Sequence, residues 1–281
     1  MNTIIALHYN EFSKTEIKVA DYVLAHSDAV LNMTITELAT ACEVSDTTVF
    51  RFCRVLELDG YQAFKVLLAQ SLVSSSYKNR MFYSDEIQSA NTVEAICRAT
   101  YNDTVFDLNN TFELINYQNL EKAVCLIEKA DRIHFFGSGA SGDSAMDARN
   151  KFIRILPNVD CIIDSHIQLI SASMMRPTDV AIIYSYGGSS KNILEVMRLA
   201  KENNVPTVAI TRFLNSPITK YADIVLLCGS NEGPLQGGST ASRISQIFWT
   251  DILYNVVFQR NYEQCSINKT QTAKAVSSML L

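Results

Sequence analysis

No stretch of this sequence approaches the roughly eighteen uninterrupted apolar residues that a bilayer-crossing helix needs. Met1 to Asn10 carries neither the basic region nor the cleavage site of a secretory leader, so a cytoplasmic chain with no membrane partner is expected. The seven cysteines, Cys42, Cys53, Cys97, Cys125, Cys161, Cys228 and Cys265, are odd in number and widely scattered, with no Cys-x-x-Cys pair and no neighbouring histidine at metal-ligand spacing. That pattern argues against a disulfide framework and against a metal centre, and for buried reduced thiols. Positive charge is not in surplus either: 24 Lys and Arg face 29 Asp and Glu, a formal net charge of -5. A surface built to coat nucleic acid everywhere is thereby excluded, although a local basic face can hide in the average of a large acidic chain.

What is present is apolar mass for a sizeable core, 48% of 281 residues, in three textures. A helix-patterned segment runs from Phe12 to Val73, a polar connector from Ser74 to Asn91, and alternating strands and helices follow. The limits this suggests are 1–78 for an all-α domain, 79–118 for a connector and amphipathic helix, 119–265 for an α/β domain and 266–281 for a C-terminal tail. After the connector, Val93, Ile96, Thr100, Tyr101, Thr104, Leu108, Thr111, Phe112 and Ile115 recur at helical spacing and form one mostly apolar stripe. Such a stripe needs a cover, either its own domain or a second copy of the chain.

Between Thr36 and Glu57, Leu38, Cys42, Val44, Val49 and Phe52 fall where two helices joined by a short turn bury apolar side chains, and Ala39 is small where they cross. Ser45 is placed to cap the second helix and start it at Asp46, and is itself a candidate DNA contact. Thr47, Thr48 and Arg51 then face outward near its N-terminal end, where a helix-turn-helix reads base edges in the major groove. Arg54 and Lys65 are candidates for phosphate, a contact that positions without reading sequence. Glu43 stands at the turn position commonly held by Gly, and costs strain if the backbone there is left-handed. The bases of Met1–Arg80 are Lys14, Lys18, Arg51, Arg54, Lys65, Lys78 and Arg80, mostly late and outnumbered by acids such as Glu11, Glu16, Asp21, Asp28 and Glu37, which lie early. An ordinary small helical bundle fits the same spacing.

From Asp131 the pattern becomes β-α-β, with strands expected at Arg132–Phe136, Val159–Ile163, Val180–Ser185, Pro206–Thr211 and Asp223–Cys228. Near-continuous apolar runs separated by helical segments predict a doubly wound, five-stranded parallel sheet. Two Gly/Ser turns follow strands and precede helices: Gly137-Ser138-Gly139-Ala140-Ser141 and Ser185-Tyr186-Gly187-Gly188-Ser189-Ser190. Ligands of open α/β sheets bind at the carboxyl ends of strands, and a helix N-terminus favours phosphate. Neither turn is a P-loop, because Lys is missing from the required position, and Gly137-Ser138-Gly139 read as a lone Gly-x-Gly is weak.

Together, Phe12–Gln70 and Asp131–Tyr262 resemble the RpiR family of regulators, which join a helix-turn-helix to a sugar isomerase (SIS) domain. The stretch Val44–Arg54, followed by Gly60-Tyr61 and Phe64-Lys65, carries the first half of that resemblance. The resemblance implies a sugar phosphate gripped by Ser185, Gly187, Gly188 and Ser190 in the second turn, with Ser138, Gly139 and Ser141 of the first completing the cradle. Gly187 stands where many relatives have Ser, and Ser190 where Thr is frequent, so backbone donation carries more of the grip. Ser239–Ile244 matches the start of the family's last helix, and Arg243 is the nearby cation for a phosphate or sugar oxygen. The family's function implies operator DNA, an inverted repeat read by a homodimer or higher homo-oligomer, and no cofactor besides the effector.

Two rivals belong to other classes. A sugar-phosphate isomerase needs a base that moves a proton between adjacent carbons, yet only His8, His26, His134 and His166 exist and Glu232 is the one acid in a cleft-like loop. An adaptor would use the helix-turn-helix on protein instead of DNA. The regulator reading leaves neither half of the chain unexplained, and no catalytic residue is assigned.

Overall fold

The computed structural model describes residues 5, 8–71, 85–229, 240–277 and 279. The chain forms two compact units: the first runs to Phe106 and takes in Asn215–Pro217, and the second is made of Asp107–Leu214 and of the described residues from Ile218 on. Ser74–Ser76, Lys78, Arg80, Glu232 and Ser239 lie outside the described residues.

The first unit is built on helices α1 (Lys14–Ala25), α2 (Ser27–Leu31), α3 (Ile35–Ala41), α4 (Asp46–Val55) and α5 (Tyr61–Ser71). Capping boxes start α1 and α3: the Ser13 and Thr34 hydroxyls accept from the N–H of Glu16 and Glu37, whose carboxylates accept from the N–H of Ser13 and Thr34. Val19, Val23, Leu38, Val49, Phe52, Phe64 and Leu68 fill the core with no exposure. Phe52 lies between Phe12 and Phe64, ring centroids 5.0 and 5.5 Å away. After α3, the N–H of Val44 donates to Ala39 O and that of Glu43 to Thr40 O, with Glu43 at φ 55. This is a Schellman ending with Glu in the place Gly usually fills, so the backbone at Glu43 is left-handed and the condition for strain is met. The same ending closes α4 at Glu57 and the helix before Asn204.

Two expectations need correction. Asp85–Ser89, inside the polar connector, is a short helix, α6, whose Glu86 carboxylate accepts from Asn102 Nδ2 at 3.3 Å. The cysteines are all free, but Cys97 is exposed and Cys125 and Cys161 are half-buried, so burial does not describe the set. The expected long helix is α7 (Val93–Glu113). Ala99, Asp107 and Thr111 are its buried residues, while Val93, Ile96, Tyr101 and Phe112 from the apolar stripe stay exposed.

The second unit follows α8 (Tyr117–Lys129) with β1 (Ile133–Gly137), α9 (Ala140–Phe152), β2 (Val159–Cys161), α10 (Ser165–Ser173), β3 (Val180–Tyr184), α11 (Lys191–Glu202), β4 (Thr207–Thr211) and β5 (Ile224–Leu227). Helices α12 (Thr240–Arg260) and α13 (Tyr262–Ser277) complete it. The five strands are parallel in the order β2-β1-β3-β4-β5, with Gly137 opposite Tyr184 at the end of the β1 and β3 pair. Alternate residues serve two cores. Ile133, Phe135, Ile182, Tyr184, Val208 and Ile210 pack with Leu120, Val124, Ala148, Phe152, Trp249 and Leu253, and Phe136, Ala181, Ile183 and Ala209 pack with Ala172, Ile193, Val196 and Met197. β2 stops two residues short of its expected end because Asp164 caps α10, its carboxylate accepting from the N–H groups of His166 and Ile167. The other strands differ from expectation by one residue, at one end in β3 and β4 and at both ends in β1 and β5.

Candidate functional site

Along α4 the sequence-derived readers separate by what they already bond. Ser45 Oγ accepts from Thr48 N at 3.2 Å and lies 3.0 Å from Thr48 Oγ1, so these two hydroxyls hold the helix start and Thr48 is half-buried. Thr36 Oγ1 donates to Asp46 Oδ2 at 2.9 Å and ties α3 to the first turn of α4. Thr47 and Arg51 are exposed, and Arg51 pairs with no carboxylate among the described residues. Arg54 is exposed but pairs with Asp59 at 3.0 Å. Lys65 is half-buried: its amine donates to Met33 O at 3.1 Å and lies 5.9 Å from the Tyr61 ring centroid. Helix α4 therefore presents Thr47 and Arg51 outright, whereas Lys65 also fastens α5 to the segment before α3.

The two Gly/Ser turns lie at the carboxyl ends of β1 and β3, the strands that flank the switch point of this strand order. Gly137, Gly139 and Gly142 in fact stand at the spacing Gly-x-Gly-x-x-Gly, which corrects the reading of a lone Gly-x-Gly. A Cβ on Gly137 would fall on the Ser141 carbonyl, and Gly139 has φ 57, so the first two are required by close approach and by a left-handed backbone. Ser138 and Gly139 are exposed. Ser141 Oγ accepts from Tyr186 N at 3.4 Å and from Gln246 Nε2 at 3.0 Å, which joins both turns to α12 and leaves the hydroxyl hydrogen to donate.

In the second turn, Ser185 is buried and its N–H continues the ladder to Ile210 O at 3.1 Å. Gly188, at φ 64, donates its N–H to Ser185 O at 3.2 Å and accepts from Ile218 N at 3.1 Å. It shapes the turn; its N–H is not spare, unlike the donor role the resemblance implied. No described residue accepts from the N–H of Gly187, Ser189 or Ser190, and Ser190, the residue that starts α11, makes no side-chain cap. Three unused donors and a helix N-terminus with its positive dipole end thus gather at one turn, a place suited to an oxyanion. Arg243 is exposed in the first turn of α12, one helical turn before Gln246, and forms no ion pair with a described residue.

Sequence reading missed three side chains that bond at or behind the turns: Gln168, Asn192 and Gln246. Asn192 Nδ2 donates to Gln168 Oε1 at 2.6 Å, and Gln168 Nε2 donates to Gly137 O at 2.8 Å. The only trace in sequence is a glutamine set among Ile167, Leu169 and Ile170. His134, by contrast, sits at the far end of β1 from the first turn, buried, where loss of solvent pushes its pKa down.

A helix-turn-helix unit joined to a parallel α/β unit, with donor-rich turns at its switch point, defines a DNA-binding regulator with a ligand-sensing domain. A helix-turn-helix domain of the rpiR family matches residues 1–75 and a SIS domain matches residues 126–256. The chain is 32% identical over 268 residues, 95% of its length and 93% of the relative's, to an HTH-type transcriptional regulator of Haemophilus influenzae. It belongs to the RpiR family of HTH-type transcriptional regulators. HexR of Pseudomonas aeruginosa is 32% identical over 244 residues, 87% of this chain and 84% of that one. The NanR protein of Vibrio vulnificus, solved in complex with ManNAc-6P, matches at a TM-score of 0.82 and 28% identity over 99% of each chain. No helix among the described residues is long and apolar enough to cross a membrane.

Proposed function

We propose that this regulator binds operator DNA through α4, that a phosphorylated sugar held by the two turns controls that binding, and that the target genes serve carbohydrate metabolism. The observation that carries the reading is the set of unused N–H groups at Gly187, Ser189 and Ser190, opposite the Ser141 hydroxyl that bonds Tyr186 of the same turn. Ser185 and Ser190 supply hydroxyls, Ser138 and Gly139 border the first turn, and Arg243 supplies charge. NanR, similar over 99% of its length, was solved with a phosphorylated amino sugar, which supports the ligand class.

The sugar is sensed and not converted. Isomerisation needs a base at the substrate carbons, and His134 is buried near Asp179 at the opposite end of β1, its Nε2 3.8 Å from the carboxylate. Two copies form the reading unit: Val93, Ile96 and Tyr101 of α7 and Ile167, Ile170 and Met174 along α10 are exposed apolar side chains that a second chain covers. A two-fold pair reads half-sites about one helical turn apart, hence an inverted repeat. The sugar phosphate shifts the pair between arrangements by no more than its differential affinity for them.

Thermal unfolding of the full chain with phosphorylated and unphosphorylated sugars tests this. At about a hundred times its dissociation constant a ligand stabilises by about 2.7 kcal/mol. Only phosphorylated sugars should raise the midpoint, and Ser185→Ala with Ser190→Ala, which remove two hydroxyls and leave the main-chain donors, should reduce the rise. A rise with unphosphorylated sugars, or one indifferent to both serines, would sink the effector assignment.

A further inference from the structure

Gln168 is 1% exposed on α10, and its amide is almost fully spent. Nε2 donates to Gly137 O at 2.8 Å and to Ile162 O at 2.7 Å, and Oε1 accepts from Asn192 Nδ2 at 2.6 Å. Three chain ends meet there: the end of β1 where the first turn begins, the segment leaving β2, and the first turn of α11. None of these bonds closes a helix or extends the sheet ladder. For packing alone an apolar residue would serve, as its neighbours Leu169 and Ala172 do in the same core. A buried amide costs stability wherever its partners are imperfect, so three short bonds at one point mark a geometry that is held for a purpose.

Asn192 follows Ser190 by two residues, and the N–H groups of Gly187, Ser189 and Ser190 are the free donors of the second turn. Gly137 opens the first turn. A link from Gly137 O through Gln168 to Asn192 therefore ties the start of one turn to the helix behind the other. It complements the Ser141 bond to Tyr186 N, which at 3.4 Å is the longer tie between the turns.

We propose that Gln168 and Asn192 act together as the positioning pair of the sugar-phosphate site, holding both Gly/Ser turns in one frame before ligand arrives. The inference rests on the sugar-phosphate reading above. Neither side chain has to touch the ligand: the pair acts through the main chain of the turns, so it lowers the reorganisation that binding would otherwise require. Its effect falls on the phosphate and is the same whatever sugar is attached.

Calorimetric titration of the full-length protein with ManNAc-6P, glucose 6-phosphate and inorganic phosphate tests the pair. Asn192→Ala, Asn192→Asp, Gln168→Leu and the double variant Gln168→Leu/Asn192→Ala are compared well below their unfolding midpoints. Asn192→Asp keeps size and removes the donor but adds a carboxylate that repels phosphate, so the uncharged Asn192→Ala sets the size of the effect and guards against misfolding of Gln168→Leu. Each uncharged single change should weaken binding roughly tenfold, the scale of one buried hydrogen bond, by the same factor for inorganic phosphate and for whichever sugar phosphates bind. The double variant should be no weaker than the weaker single, since both changes cut one link. Additive losses, or midpoints that fall while affinity holds within roughly twofold, would overturn the proposal and leave a structural role. If Ser185→Ala and Ser190→Ala weaken binding while both Asn192 variants keep it, the positioning pair alone fails. If the wild type takes none of the three probes, the effector reading fails and the pair with it.

Discussion

In the helical unit the candidate reading groups, Thr47 and Arg51, are side chains that project from α4 and bond to no described residue. In the α/β unit the candidate donors are main-chain N–H groups, and their placement depends on hydroxyls and amides beneath them: Ser141, Gln168, Asn192 and Gln246. The first arrangement separates stability from function, because the apolar core under α4 can carry any outward residue. The second couples them, because a change that loosens the scaffold also moves the donors. A base-reading surface must vary from operator to operator, whereas a phosphate cradle must present the same few donors each time.

Deleting the shared core ring of the helical unit should give the largest effect. Phe52→Ala removes a fully buried ring that touches Phe12 and Phe64, at a cost of about 3–5 kcal/mol. Denaturant unfolding followed by helical signal should show an early transition and lost operator binding. Sugar-phosphate titration should be untouched if the two units are as separable as the comparison implies. A matching loss of effector binding would break it.

Gly137→Ala comes next, from the other side of the comparison. Its new methyl would fall on the backbone carbonyl of Ser141, which no side-chain rotation relieves, so a loss of about 3 kcal/mol is expected. Here stability and effector affinity should fall together. Retained affinity with lowered stability would show that the turn tolerates movement and that the coupling is weaker than argued.

Arg51→Ala should cost about 1–3 kcal/mol at the cognate operator and little on random duplex, with the unfolding midpoint unchanged. Lys65→Ala is the useful contrast: it loses its bond to Met33 O as well as its charge, so both the midpoint and binding to every sequence should drop. Fluorescence anisotropy at several salt concentrations separates the two. Equal losses on cognate and random DNA for both variants would remove the reader role from Arg51.

The helix-turn-helix and the order of strands and helices were legible because period-3.6 and near-continuous apolar patterns report local structure directly, as at Val49 and Phe52 or along Val180–Tyr184. Ser45 as a cap and Glu43 as a left-handed turn residue were legible for the same local reason. What stayed hidden is non-local. Nothing near Gln168 announces that it reaches Gly137, thirty-one positions away, and nothing near Lys65 announces Met33. The destination of the Gly188 N–H also follows from turn geometry and not from residue type. The exposed stripe of α7 was read as apolar from spacing, but which side is covered depends on partners that spacing does not contain.

A smaller test returns to the helical unit. Glu43 holds φ 55 at the Schellman ending of α3, a backbone that costs a side-chain-bearing residue about 1 kcal/mol. Its carboxylate is exposed and 3.8 Å from Lys18, a surface pair of little worth. Glu43→Gly should therefore raise stability by about 0.5–1 kcal/mol and leave operator binding unchanged. A loss of stability would mean that the Lys18 pair or the stiffness of the turn outweighs the strain.

The smallest expected effect concerns pH and sits in the α/β unit. His134 on β1 is buried, stacks on Phe136 with centroids 6.1 Å apart, and leaves Nε2 without a hydrogen bond. Burial pushes its pKa below the ordinary 6.5 and outweighs the opposing pull of Asp179 and Asp160, while Arg132 adds to the depression. The neutral ring is thus the folded form, and the unfolded chain takes up the proton more readily. The stability this contributes is complete above the unfolded pKa, about 6.5, and is lost as pH falls below it toward the folded value. Urea midpoints of the wild type and His134→Gln at pH 7.5 and 5.5 isolate the term, because the two proteins differ at no other residue. The wild type should lose more stability on acidification than the variant. The reverse ordering would mean that protonation draws His134 into a bond with Asp179 Oδ2, now 3.8 Å away, and that the buried pair outweighs the loss of solvent.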